Sequence, residues 1–213
     1  MENPTRRRVL AAGITGTALG LFGGRVASAG TTPPSGSEPT EDTATDGADP
    51  VTEMVEQPTA EDIVLLGFAQ SVELAAQALY QISLDAGVDD QVITLMRDNH
   101  QSYAQVLAGI LGVDAPGVPD DAIIEDRGEA FADTDIRSLA ATAYDLESTL
   151  VVTHTDLVGL LEGIDGSHLI ASIVTVESQA CAVFADMAGL GTDFDALFVN
   201  EARPLPVTES SGG

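Results

Sequence analysis

The chain contains no lysine, and its 213 residues include a single cysteine. Eight arginines stand against 34 acidic residues, which gives a formal net charge of −26 at pH 7. A surface of that sign repels nucleic acid and anionic membranes, so neither is expected as a partner. Cys181 has no second cysteine with which to form an internal disulfide, and the stability of the fold must therefore come from packing.

The sequence also lacks the common motifs of catalysis and nucleotide binding. It has no glycine-rich phosphate loop, no Cys-x-x-Cys pair and no Ser/His/Asp order, so no catalytic residue is predicted. A surface made acidic simply for high salt is one remaining interpretation, and it predicts unfolding at low ionic strength. That interpretation does not explain the polar core residues described below.

Residues 1–29 have the three parts of an export signal: a basic start, an apolar run over 9–22 and a final Ala-Ser-Ala. Arg6 and Arg7 resemble the twin-arginine signal, which predicts an exported, extracytoplasmic protein of the cell envelope or a secreted one. We expect cleavage after Ala29, which leaves no stable membrane span. The apolar run is also shorter than the ~20 residues that span a bilayer, so it is poorly suited to serve as an anchor. An uncleaved anchor is the alternative. Cleavage leaves four arginines and 33 acidic residues, a formal charge of −29.

Composition and periodicity divide the rest of the chain. Residues 30–58 are rich in Pro, Thr, Ser, Gly and acid, which predicts a disordered linker. The following apolar patterns predict an all-α domain over 59–190, made of four helices at 59–86, 90–112, 133–164 and 168–190. The pattern of residues 191–213 predicts a short amphipathic helix followed by a loose tail.

The connections between the four predicted helices are short, long and short. The first is 87–90, the second is 113–132 with two prolines, and the third is an Asp-Gly-Ser turn at 165–167. A four-helix bundle with one long crossover between its second and third helices fits this order, whereas a simple up-down bundle needs short links only. Asp133 or Thr134 is the expected cap of the third helix.

Each predicted helix has one ionisable residue near the middle of an otherwise apolar stripe. These residues are Glu73, His100, Glu147 and Glu177. An ionised carboxylate without a partner is costly in a core, so such groups pair, bind metal or take up a proton.

With these four residues in place, residues 59–190 resemble the ferritin-like superfamily, in particular the exported ferritin-like domains of bacteria. In the di-iron pattern of that family, the first and third helices each supply one glutamate. The second and fourth helices each supply Glu-x-x-His. Glu73 and Glu147 match the two single glutamates.

The two Glu-x-x-His motifs are incomplete. Arg97 stands where the resemblance implies a glutamate before His100, and Ala180 stands where it implies a histidine after Glu177. The resemblance therefore implies a degenerate di-iron motif with two of six ligands missing.

Three arrangements of the stripe residues remain open. In the first, Arg97 reaches Glu147 or Glu177 in a buried ion network without metal, while His100 is hydrogen-bonded to another glutamate. In the second, Glu73, His100, Glu147 and Glu177 bind a single Fe, Mn or Zn ion. In the third, the helices are rotated so that some of these residues face water.

The function expected from these patterns is that of an exported ferritin-like four-helix-bundle protein without a functional di-iron centre, in a non-catalytic binding or envelope-associated role. A mononuclear metal-binding or metal-oxidising protein is the alternative. The sequence does not identify a protein partner, and an oligomer is compatible with it.

The other histidines and two tyrosines are predicted to be structural. His154 lies two turns after Glu147, about 10 Å along the helix axis, which is too far to share one metal with it directly. We expect His154 to be buried or at the end of the bundle, and His168 to lie at a helix start. Tyr80 and Tyr103 fall on inward stripes and are expected to be core residues with a polar tip.

Overall fold

The structure, a computed structural model, describes residues 57–207. The predicted export signal, nearly all of the predicted linker and the last residues of the tail lie outside the described residues. Within 57–207 the chain forms six α-helices and one 3₁₀ turn, with no strand. The helices are α1 (Ala60–Asp85), α2 (Gln91–Leu111), α3 (Asp121–Phe131), α4 (Ile136–Leu160), α5 (Ile164–Ala188) and α6 (Phe194–Phe198).

The four long helices form a bundle of two pairs. Helix α1 packs along α2, and α4 packs along α5, each pair being joined by a short link. The crossover from α2 to α4 is long, and α6 is short, so the predicted all-α bundle with one long crossover and a short C-terminal helix is confirmed. Helix α3 packs against α1 and α4.

Side-chain caps explain where most helices begin. The Thr59 hydroxyl accepts a hydrogen bond from the backbone N–H of Asp62 at 3.1 Å, which makes Thr59 the N-cap of α1. Helix α4 is capped by Asp135 rather than by the predicted Asp133 or Thr134. Gly189, with a φ of 84°, ends α5 in the left-handed conformation that glycine adopts at little cost.

The predicted junction between the last two bundle helices is wrong. Helix α4 ends at Leu160 and α5 begins at Ile164, so the Asp-Gly-Ser segment at 165–167 is helical and is not the turn. His168 is therefore an exposed residue of the second turn of α5 and not its first residue.

A side chain from α1 determines the position of this turn. The buried carboxylate of Asp62 accepts hydrogen bonds from the backbone N–H groups of Glu162 and Gly163, each at 2.9 Å. These donors lie in the link directly before α5, where no helix supplies an acceptor for them. Because Asp62 is 100 residues away in the sequence, the local pattern contains no sign of this contact.

The long crossover contains α3, which the sequence analysis did not predict. Asp120 caps this helix, and Ile123 and Phe131 are its buried residues. The Phe131 ring packs edge-on against the ring of Tyr80, with 5.3 Å between centroids. Eleven residues with two buried apolar side chains are too few to give a clear helical period, so the pattern was missed.

By length and composition alone, α1 and α5 are each apolar enough to cross a membrane. The core helix of a soluble protein passes the same test. Both helices pack their inward residues in the bundle core, and each has a buried glutamate there.

Replacing Asp62 with alanine tests the α4–α5 turn. The variant leaves two backbone N–H groups without their acceptor, and we expect the free energy of unfolding to fall by about 2–4 kcal/mol. Chemical denaturation measures the change. Glu162→Ala, which removes an exposed side chain of the same turn, is the control and should stay within about 0.5 kcal/mol of the parent protein. Equal losses in the two variants would contradict the role of Asp62.

Candidate metal site

Three glutamates and two histidines lie inside the bundle with no exposed surface. They are Glu73 on α1, His100 on α2, Glu147 and His154 on α4, and Glu177 on α5, and together they form what we call the buried cluster. All four stripe residues predicted from the sequence are thus buried, and the alternative in which some of them face water is wrong.

His100 joins two of the carboxylates. Its Nδ1 lies 2.6 Å from Glu73 Oε2, and its Nε2 lies 3.1 Å from Glu147 Oε1. Burial alone would lower the pKa of His100, but the charges of Glu147 and Glu73 outweigh burial and raise the pKa well above its ordinary value. Both ring nitrogens can then donate, as an imidazolium between two carboxylates does.

Tyr80 completes this half of the cluster. Its hydroxyl group is fully buried and donates to Glu147 Oε1 at 2.5 Å. Burial and the nearby charge of Glu147 raise the pKa of Tyr80 well above its ordinary value, so the hydroxyl keeps its proton. Tyr80 is therefore a buried core residue with a polar tip, as the sequence predicted, and its hydrogen bond to Glu147 is a finding of the structure. Tyr103 is partly buried and packs edge-on against His100.

His154 forms the other half of the cluster. Its Nδ1 lies 3.0 Å from both oxygens of Glu177. Its Nε2 lies 3.5 Å from Glu73 Oε1. Burial would lower the pKa of His154, but the charge of Glu177 raises it overall. Burial raises the pKa of Glu177 to about 7, against the opposing effect of His154.

Three polar atoms of the cluster are buried without a hydrogen-bond partner among the described residues. They are Glu73 Oε1, Glu147 Oε2 and His154 Nε2. Buried polar atoms in native proteins are nearly always satisfied, so each exception needs an explanation. Two of the three, Glu73 Oε1 and His154 Nε2, face each other.

The structure gathers Glu73, His154 and Glu177 into a group that could hold a metal ion. One ligand atom from each residue lies within 4.8 Å of the others. Two carboxylate oxygens and one imidazole nitrogen suit a divalent transition metal. His100 and Glu147, predicted as ligands of the same ion, pair instead with each other and with Glu73 and Tyr80.

The part that His154 plays in the cluster was not predicted from the sequence. It is buried, as predicted, but it joins Glu177 and Glu73 from two other helices. Spacing along a single helix separates His154 from Glu147, but helices α1 and α5 bring the carboxylates of Glu73 and Glu177 to the level of His154. The sequence did contain a signal for this role, because His154 stands seven residues after Glu147 and so lies on the same inward stripe of the helix.

Arg97 lies at the surface, and the predicted buried network around it is wrong. The guanidinium donates to Asp98 Oδ1 from Nε at 2.9 Å and to Gln81 Oε1 from Nη1 at 3.2 Å, with 27% of the side chain exposed. A long side chain on the flank of a helix can extend its charge into water instead of burying it. Ala180 is buried and supplies no ligand atom.

Substitution of Arg97 distinguishes a surface pair from a buried one. We expect Arg97→Leu to change the free energy of unfolding by less than about 1 kcal/mol, the usual value of an exposed ion pair. His100→Leu removes the buried bridge between two carboxylates and should cost about 3–5 kcal/mol. Denaturant unfolding of both variants checks this order, and a larger loss for Arg97→Leu would contradict it.

The raised pKa values predict an unusual pH dependence for the metal-free protein. The pKa of Glu177 is about 7 in the folded state against its ordinary 4.5, so the folded protein binds this proton more tightly than the unfolded chain does. The stabilisation that the proton provides is therefore lost as pH rises from 4.5 to about 7. His100 and His154 also have raised pKa values, so their contribution is present below pH 6.5 and is lost at higher pH. In chelator, the free energy of unfolding should fall by on the order of 3 kcal/mol from pH 5 to pH 8.

Denaturation in about 1 M KCl, which screens the surface charge, measures this effect. Glu177→Gln should show a shallower decline than the parent protein, because it cannot titrate. Glu129→Gln, at an exposed position of α3, should retain the parent slope. Stability that rises over this range in the parent protein would contradict the assignment.

A family model described as a ferritin-like domain matches residues 61–190. No curated protein and no solved structure gives a match. The matched range contains the four bundle helices, the crossover helix α3 and every residue of the buried cluster. The chain therefore belongs to the ferritin-like domain family.

Proposed function

We propose that this ferritin-like domain binds a single divalent transition-metal ion through Glu73, His154 and Glu177. The supporting observation is the pair of atoms that face each other without a hydrogen bond, Glu73 Oε1 and His154 Nε2, 3.5 Å apart and buried. Leaving one such atom unsatisfied costs roughly 1–3 kcal/mol. A cation held between these residues would satisfy both atoms and offset the charge of two carboxylates.

The donor set suits Fe, Mn or Zn, which accept mixed oxygen and nitrogen ligands. Bound there, the ion would supply a Lewis acid or, as iron or manganese, a redox centre. The protein contributes orientation, because the second oxygen of Glu73 is held by His100 at 2.6 Å. Such a contact behind a ligand fixes the carboxylate in place.

The same residues argue against a di-iron centre. Arg97 lies on the flank of the bundle, where it contacts Asp98 and Gln81, and Ala180 has no donor atom, so two ligands of the family pattern are missing. Both ring nitrogens of His100 already contact carboxylates, which leaves Glu147 Oε2 as the free acceptor in that half of the cluster. We therefore place one ion in the half with His154 and none in the half with His100.

A binding role outside the cytoplasm is part of the proposal. Every residue of the buried cluster has no exposed surface. Two surface depressions beside α3 are lined by residues such as Asp126 and Asp145, and neither contains a cluster residue. Among the described residues neither depression leads to the ion, which favours metal binding over catalysis. Export rests on the twin-arginine signal around Arg6 and Arg7.

A salt-bridged core without metal is the second candidate. Two imidazolium rings, His100 and His154, would balance two carboxylates, and the raised pKa of Glu177 would let that residue hold a proton. This arrangement gives a neutral core and leaves His154 Nε2 within ion-pair distance of Glu73 Oε1, at 3.5 Å, although the two atoms form no hydrogen bond.

Metal analysis of the full chain separates the two candidates. The protein is stripped with chelator, offered Mn²⁺, Fe²⁺ or Zn²⁺ singly, and passed over a gel-filtration column in about 1 M KCl to remove ions held weakly by the acidic surface. We expect about one ion per chain, together with a higher thermal unfolding temperature, since a ligand bound only by the folded state stabilises it.

Two histidine variants give the matched comparison. His154→Ala should lose the ion and the thermal shift, whereas His168→Ala, at an exposed position of α5, should keep both. No bound metal in the parent protein would favour the salt-bridged core. Equal metal content in the two variants would exclude His154 as a ligand.

A further inference from the structure

We propose, on the basis of the proposed ion site, that Tyr80 is a positioning residue for the ligand Glu73. It acts through the two residues that lie between them, Glu147 and His100. These four residues, none of which has exposed surface, form what we call the Tyr80 network. Tyr80 is not one of the residues that could hold the ion, so its effect on the ion passes through the network.

Three consecutive contacts connect the tyrosine to the ligand. The Tyr80 hydroxyl donates to Glu147 Oε1 at 2.5 Å, and the same oxygen lies 3.1 Å from His100 Nε2. The other nitrogen of that ring, Nδ1, lies 2.6 Å from Glu73 Oε2. The network thus uses one oxygen of Glu73 and leaves Oε1, which has no hydrogen bond among the described residues, for the ion.

The Tyr80 network begins and ends on the same helix. Tyr80 and Glu73 are both on α1, about two turns or 10 Å apart along the helix axis. Between them the contacts pass through Glu147 of α4 and His100 of α2. The backbone of α1 closes the loop, so three helices together restrain the carboxylate of Glu73.

Aromatic contacts hold Tyr80 itself in place. Its ring stacks on the ring of His100, with 5.5 Å between centroids and 12° between planes. It also stacks on Phe184 of α5 at 6.0 Å and meets the edge of Phe131 of α3 at 5.3 Å. Both arrangements are favourable for aromatic pairs. A side chain enclosed in this way has a fixed rotamer, which precise placement of a site requires.

The Tyr80 network supports one ligand of the proposed site and not the others. Glu177 contacts His154 on the far side of the ion site, and neither residue contacts Tyr80 or Glu147 through a hydrogen bond among the described residues. Loss of the Tyr80 hydroxyl should therefore loosen Glu73 without removing any ligand atom. The expected result is a weaker and less regular site that still binds its ion.

Binding of Co²⁺ to the full chain tests this role, because Co²⁺ accepts the same ligands and its visible absorption depends on coordination geometry. Tyr80→Phe removes one hydroxyl and keeps the ring contacts. We expect the dissociation constant to rise about threefold to tenfold, less than the 10- to 100-fold typical of a group that contacts a ligand directly. The absorption spectrum of the bound ion should also change, which a loss of stability alone would not cause.

Tyr144→Phe is the matched control. The Tyr144 hydroxyl donates to the backbone carbonyl of Ala196 at 2.7 Å, and the residue is partly buried on α4 outside the Tyr80 network. Its loss should leave both the dissociation constant and the spectrum unchanged. Titrations in about 1 M KCl suppress weak binding to the acidic surface, and circular dichroism confirms that both variants are folded.

The metal-free protein gives an independent measurement. In chelator, nitrogen NMR of protein labelled at histidine resolves the two ring nitrogens of each histidine. Tyr80→Phe should shift the Nε2 resonance of His100, which shares Glu147 Oε1 with the tyrosine, more than either ring resonance of His154. An unchanged His100 resonance would overturn the role of Tyr80 without any metal present.

Failure of the ion site and failure of the positioning role give different results. A parent protein that binds no Co²⁺ would remove the ion site and, with it, the role of Tyr80. Bound Co²⁺ with the same affinity and spectrum in Tyr80→Phe as in the parent would overturn the role of Tyr80 and leave the site intact. Equal changes in Tyr80→Phe and Tyr144→Phe would do the same.

Discussion

The neutralisation of buried charge is the constraint on which the bundle depends. Three glutamates and two histidines meet in the core with no exposed surface, and the arginine nearest to them in sequence is directed to solvent. The imidazoles balance two negative charges at most, so the third requires a proton or a cation. Glu177, whose pKa is raised to about 7, is where a proton is held most readily.

The scaffold holds these groups at the same level of the bundle. Asp62 fixes the turn between α4 and α5, the pair of helices that supplies Glu147, His154 and Glu177. Phe131 of the crossover helix packs against Tyr80, whose hydroxyl donates to Glu147. The crossover thus does more than connect α2 to α4, because it also supports the cluster from outside.

Sequence periodicity was sufficient for the four long helices and for the stripe residues, because an inward polar residue on an apolar stripe is visible in one helix at a time. It was not sufficient where a distant contact decides the structure. The α4–α5 turn depends on Asp62, and α3 depends on packing against α1.

The positions of the site's side chains also depend on contacts between helices, which sequence periodicity does not reveal. The spacing of His100 and Arg97 on α2 suggested that both face the core, yet their actual surroundings separate them: His100 is enclosed by carboxylates, while Arg97 reaches water and Asp98. The pairing of His154 with Glu177 and Glu73 depends on the relative levels of three helices, which no single stripe reveals.

The most direct test of the central claim is a crystal of the full chain grown with Mn²⁺ or Zn²⁺ and measured by anomalous diffraction at the absorption edge of that metal. We expect one anomalous peak within coordination distance of Glu73, His154 and Glu177, about 2.0–2.3 Å from the ligand atoms. An absence of any peak in the bundle, or a peak between His100 and Glu147 instead, would contradict it.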